Sequence, residues 1–204
     1  MATKTVQSAF ARAQFAQKPR PKRTQFPPGT PLFLTWWLDG ALPPMSPGVL
    51  NEIEKLTGRE RLVRIEKLLD AAKHGPKWLA DERVAVMVCE TIENGDAEFH
   101  NYQLHAYVVM PNHVHLLVTP SGEVGSFMAK VKGITARNAN LILGRTGERF
   151  WASWSYDHFS RNSENFAKML SYIAKNPVWA RLVANPEEYP WCSAHREATA
   201  PKHP

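Results

Sequence analysis

Two histidines one residue apart, His113 and His115, stand in a run with the apolar character of a strand, His113-Val-His-Leu-Leu-Val118. A strand repeats every two residues, so both imidazoles share one face while Val114, Leu116 and Val118 take the other. Two imidazoles so placed can hold a divalent cation together if a third ligand arrives from elsewhere. They can equally be ordinary residues of a solvated strand face, and the triplet alone does not separate these readings. Further along, Phe166, Met169, Leu170 and Ile173 recur at helical spacing, which leaves Tyr172 roughly 110° from the centre of that apolar stripe. Asn176 follows four residues later, on the same helix face as Tyr172. That pair can offer a phenol and an amide oxygen to one cation, or it can be a boundary tyrosine and a helix cap before Pro177. A phenol, with a reference pKa of about 10, attacks poorly at neutral pH unless its target is made more electrophilic. Mg²⁺ or Mn²⁺ held by imidazoles and an amide oxygen would polarise a phosphodiester and lead to a phosphotyrosine, whereas attack by water would end in hydrolysis.

The elements that must position these residues follow from patterning. Leu32–Leu38 is aromatic and β-favouring and is bounded by turn residues, so it reads as the first strand. From about 49 to 73 the spacing is helical, with Leu62, Ile65, Leu68 and Leu69 as its stripe and a break near Gly58. Asp81 caps a further helix to about Ile92, and Asn94-Gly95 is expected to turn the chain. Strands over 102–110 and 113–119 form a hairpin across Pro111-Asn112. Helical spacing of Val124, Phe127, Met128, Val131, Ile134, Leu141 and Ile142 predicts a helix over 123–143 that ends at Gly144 and Gly147. A last strand near 151–160 precedes a helix that starts at Asn162 or Ser163 and ends at about Lys175, before Pro177. The order predicts an α+β fold: a ferredoxin-like antiparallel sheet with helices on one face, plus a C-terminal helix carrying Tyr172. Residues 1–31 are expected to be a flexible basic arm, 32–196 one domain with a helical insert at about 45–96, and 197–204 a flexible tail.

Composition narrows the class. The chain has 204 residues, 44% hydrophobic and 22% charged, and no apolar run approaches the roughly 20 residues of a membrane span. Cys89 and Cys192 are too few for a disulfide framework and lack zinc spacing, so they read as small apolar residues. The whole formal net charge of +6 falls on Lys4, Arg12, Lys18, Arg20, Lys22 and Arg23, and the rest of the chain is balanced. Such an arm can add affinity for a polyanion through counterion release, or merely solvate the chain. Lys130, Arg137, Asn138 and Lys175 are further candidates for phosphate contacts. Trp151, Trp154 and Tyr156 are candidates for stacking on unpaired bases, though at least two of them are expected in the core. His105 and His158 are minor candidates for proton handling. A cytoplasmic protein without a membrane span is expected.

Tyr107-Val-Val-Met-Pro-Asn-His-Val-His-Leu-Leu-Val118 followed by Tyr172-Ile-Ala-Lys-Asn-Pro-Val178 resembles the REP-associated tyrosine transposases, a branch of the HUH single-tyrosine transposases. The similarity extends from about Pro31 to Ala194. It implies that His113, His115 and Asn176 bind Mg²⁺ or Mn²⁺ and that Tyr172 attacks the scissile phosphate. The implied activity is cleavage and strand transfer of single-stranded DNA with hairpin-forming palindromes, through a 5′-phosphotyrosine. It also implies a monomer or homodimer associated with the nucleoid. Two rivals stand beside it: a non-catalytic DNA repeat-binding protein and a phosphodiesterase that uses water.

Overall fold

A four-stranded antiparallel sheet in the order β2-β3-β1-β4 forms the centre of the chain. In the computed structural model, residues 26–43, 47–71, 75–98 and 100–200 are described. The strands are β1 (Leu32–Leu38), β2 (Tyr102–Val109), β3 (His113–Pro120) and β4 (Trp151–Phe159). The helices are α1 (Pro47–Lys55), α2 (Gly58–Asp70), α3 (Glu82–Ala97), α4 (Val124–Ile142), α5 (Ser163–Trp179) and α6 (Ser193–Thr199). This is the expected α+β order, and the α6 helix carries three residues of the stretch expected as a tail.

The two faces of the sheet differ, and the difference creates the site. On one face Leu32, Leu34, Trp36 and Leu38 of β1 join Val114, Leu116 and Val118 of β3 in the larger core cluster. The α3 and α4 helices cover it through Val84, Val88, Ile92, Phe127 and Val131. On the other face, Phe33, Ala106, Val108 and Leu117 pack with Leu62 of α2 and Met169 and Ile173 of α5. Helices therefore cover both faces, with α2 and α5 opposite the α3–α4 pair. The C-terminal segment protects the β2 edge: Val109 N–H donates to the Trp191 carbonyl at 2.8 Å, and the Tyr189 hydroxyl donates to the Val109 carbonyl at 3.0 Å.

Several local expectations change, each for a packing reason. Asn94-Gly95 makes no turn, because α3 continues to Ala97. Gly95 is needed for close approach instead: the Tyr102 ring lies over it, and the Tyr102 hydroxyl donates to the Ile92 carbonyl at 2.6 Å. A methyl group at Gly95 would stand 2.6 Å from the ring's Cζ. Gly95→Ala should therefore lower stability by about 1–3 kcal/mol through overpacking, although alanine favours a helix. Urea unfolding would measure it, and a more stable variant would contradict this packing.

On α4, Ile134 and Leu141 are exposed, while Thr135 and Ala139 face the core. The Thr135 hydroxyl donates to the Val131 carbonyl at 2.6 Å and accepts from Trp151 Nε1 at 2.9 Å, which makes a polar residue acceptable there. Pro177 does not end α5. It forfeits one backbone donor near the helix end, and burial of Met169, Ile173, Asn176 and Pro177 outweighs that loss. Ala180 N–H still donates to the Asn176 carbonyl at 3.0 Å, so Asn176 keeps helical register with Tyr172. Of the expected insert, α3 belongs to the main two-helix layer. The α1–α2 hairpin is tied by Arg61, which donates to the Ile53 and Leu56 carbonyls.

Candidate functional site

His113 and His115 lie on β3, one of the two central strands, so their face is not the solvated one expected from the sequence. Both imidazoles are buried, at 1% and 0% exposure, because α2 and α5 close over this side. Burial costs the charged form, which pushes the His115 pKa down to about 3 and that of His113 well below the usual histidine range. Both are therefore neutral at physiological pH, the state in which imidazole nitrogen can donate a lone pair.

The far side of each ring is held by a polar residue. Asn112 Nδ2 donates to the Leu69 carbonyl at 2.9 Å, which turns its Oδ1 towards His113, where Nδ1 donates to it at 2.7 Å. The His113 proton is thereby placed on Nδ1, leaving Nε2 as the free lone pair. His115 Nδ1 lies 2.7 Å from Thr35 Oγ1, its direct partner across the β1–β3 ladder. The two Nε2 atoms face each other at 3.1 Å.

The α5 helix brings both further candidates to this point. Asn162 caps it by accepting from Asn165 N–H at 2.8 Å, and the apolar stripe Phe166, Met169, Ile173 seats it on β2 and β3. Asn176 Nδ2 then lies 3.3 Å from His115 Nε2, and its Oδ1 is buried without a hydrogen-bond partner. Tyr172, half-buried, sets its ring edge-on to His115 at 5.8 Å between centroids and to Phe33 at 5.7 Å. The cap reading for Asn176 is thus set aside by its burial against an imidazole. His113, His115, Tyr172 and Asn176 share one site.

Three residues of the site escaped the sequence reading: Asn112, Thr35 and Glu66. Glu66 of α2 is buried, and its Oε1 lies 2.9 Å from His115 Nε2 but without the alignment of a hydrogen bond. Burial raises its pKa to about 8. A sequence signal existed, since Glu66 interrupts the apolar stripe Leu62, Ile65, Leu69 at a core-facing position. Trp179 was also missed. It follows Tyr172 by seven residues, meets its ring at 5.3 Å and is 57% exposed.

Other candidates lie elsewhere. Trp151 and Tyr156 are buried and cannot present a face to a base. Lys130 and Arg137 are exposed on α4, across the sheet from the histidines, whereas Lys175 is exposed on the Tyr172 helix. His105 bonds Thr119 Oγ1 at 2.7 Å and meets the Phe166 ring edge. Half-buried His158 lies on β4 beside Phe159, and its ring is tilted against that residue's. Arg20, Lys22 and Arg23 lie outside the described residues. Among the described residues no helix is long and apolar enough to cross a membrane. Nor, among them, do three His, Cys, Asp or Glu side chains form a ready metal cage. The donor set is two imidazoles, the amide of Asn176, and a carboxyl that meets His115. Its chemistry fits a divalent cation: two imidazole nitrogens face each other at 3.1 Å, beside two buried oxygens that lack hydrogen bonds.

Comparison with known proteins places the chain in a family and matches its fold. The family model described as "Transposase IS200 like" matches residues 72–176. The REP-associated tyrosine transposase of Escherichia coli (strain K12) is 26% identical over 106 residues, which is 50% of this chain and 61% of that protein. The chain thus spans about three fifths of that curated relative's length. A solved structure of a REP-associated tyrosine transposase bound to a REP hairpin superposes with a TM-score of 0.59 at 17% identity, covering 91% of this chain and 89% of the other. That likeness shows the fold. A putative transposase from Deinococcus radiodurans R1, 15% identical, covers 76% of this chain and 95% of its own, at a TM-score of 0.35.

Proposed function

Since this chain belongs to the IS200-like transposase family, we propose that it cleaves and rejoins single-stranded DNA beside hairpin-forming palindromes, with Tyr172 as nucleophile. The observation that carries this reading is the convergence of His113, His115, Asn176 and Tyr172, from β3 and α5, on one site. A relative's structure holds a REP hairpin, and this chain's basic N-terminal segment and Lys175 suit a polyanionic partner of that kind.

In the reaction, the Tyr172 oxygen bonds to phosphorus as the bond from phosphorus to the 3′ oxygen breaks. The phenol gives up its proton and the departing 3′ oxygen gains one, so one diester replaces another and the strand can be rejoined by a 3′ hydroxyl. Mg²⁺ or Mn²⁺, when bound by His113, His115 and Asn176, would polarise the phosphate and stabilise the departing oxygen. Phe33 and His115 fix the Tyr172 ring edge-on, which limits the directions its hydroxyl can take. Asn112 and Thr35 hold the imidazoles with their Nε2 atoms inward.

Asn112→Ala removes the acceptor that fixes the His113 tautomer and should weaken Mn²⁺ binding roughly 10–100-fold. Calorimetric titration would check it, and unchanged affinity would remove Asn112 from the account. The function itself is tested with labelled single-stranded palindromic oligonucleotides and Mn²⁺ on a denaturing gel. A protein-linked 5′ product, lost with EDTA, is expected. Tight binding without cutting on any repeat would favour a binding protein, and cutting that leaves a free 5′ phosphate would favour hydrolysis by water.

A further inference from the structure

The α1–α2 hairpin reaches the site through one side chain. We infer that Glu66 of α2 is a fourth member of the cation-binding group, with its carboxylate joining His113, His115 and Asn176 around the metal. The inference rests on the metal-dependent reading above and deepens it.

Geometry supports it first. Ligands at roughly 2.1 Å around an octahedral cation stand about 3 Å apart. Two observed separations have that size: 3.1 Å between the two Nε2 atoms and 2.9 Å from Glu66 Oε1 to His115 Nε2. Glu66 Oε1 and Asn176 Oδ1 are both buried oxygens without hydrogen bonds, as donors waiting on a shared cation would be.

Charge supports it second. Two neutral imidazoles and one amide offer no negative charge, yet they would take a dication among buried side chains. Mg²⁺ and Mn²⁺ also prefer hard oxygen ligands to nitrogen. A carboxylate supplies both the charge and the oxygen. No other acidic side chain is in contact with either imidazole among the contacts described. The position of Glu66 inside an apolar stripe is costly for stability alone and is explained by a ligand role.

The test is calorimetric titration of the full chain with Mn²⁺ alone, without DNA. Glu66→Gln keeps the shape and a hydrogen-bonding group, so a carboxyl with a merely structural role would tolerate it. We expect its Mn²⁺ Kd to rise roughly 10–100-fold, as for loss of a partner in a metal site. Glu66→Asp, which keeps the charge on a shorter arm, should fall between that variant and wild type, and it carries the test if the Gln variant does not fold. Exposed Glu90→Gln should bind as wild type does. Unchanged Mn²⁺ affinity in the Glu66 variants, with binding lost in His115→Ala, would overturn the inference and leave the reading of the site standing. A wild-type chain that binds no Mn²⁺ would overturn both.

Discussion

Tyr172→Phe should abolish the protein-linked DNA product and lower strand cleavage on the order of 10⁴-fold or more, as removal of a nucleophile does. The substitution removes one oxygen and keeps the ring. Its edge contacts with Phe33, His115 and Trp179 remain available, as does the α5 packing through Met169 and Ile173. Folding and hairpin binding should therefore persist, which separates loss of chemistry from loss of structure. Quantifying cleavage of a labelled strand, alongside a binding assay on the same hairpin, checks both halves. Cleavage within a few-fold of wild type would move the nucleophile to water.

His115→Ala should reduce cleavage on the order of 10³-fold, because a cation's stabilisation of a departing oxygen is worth several kcal/mol. It should also weaken the fold. His115 fills a fully buried position between Phe33, Thr35, Glu66 and Asn176, and its removal leaves the last three without their shared neighbour. A loss of about 2–4 kcal/mol by urea unfolding is expected, within the range for large-to-small changes in a core. His113→Ala supplies the cross-check, since it should lose cleavage to a similar degree while leaving Thr35 paired with His115. Activity retained in both variants, at a temperature where each is folded, would contradict a role for the histidine pair.

The parts of this site that could be read from the sequence are those that obey a local period. The His113-Val-His115 alternation and the Tyr172 to Asn176 interval each follow from the geometry of one element, and their motifs resemble a known family. What could not be read depends on pairing between elements. Thr35 meets His115 only because β1 and β3 adopt one particular register. Asn112 acts through the carbonyl of Leu69, forty-three positions away along the chain. Glu66 needed the α1–α2 hairpin to fold over the sheet face that the sequence left open to solvent, which is also why the histidines prove buried. Gly95 and Pro177 show the same limit in the other direction. Both are strong local breakers, yet the Tyr102 ring and the buried end of α5 override them.

The central claim is a covalent bond between Tyr172 and a 5′ phosphate. The most direct measurement isolates the protein after reaction with a single-stranded palindromic oligonucleotide and Mn²⁺, digests it with trypsin and nuclease, and weighs the peptide spanning residues 169–175. That peptide should carry a 5′-linked nucleotide on Tyr172 and be unmodified when EDTA is present. An unmodified peptide from a reaction in which the DNA has been cut, with a free 5′ phosphate on the product strand, would contradict the account.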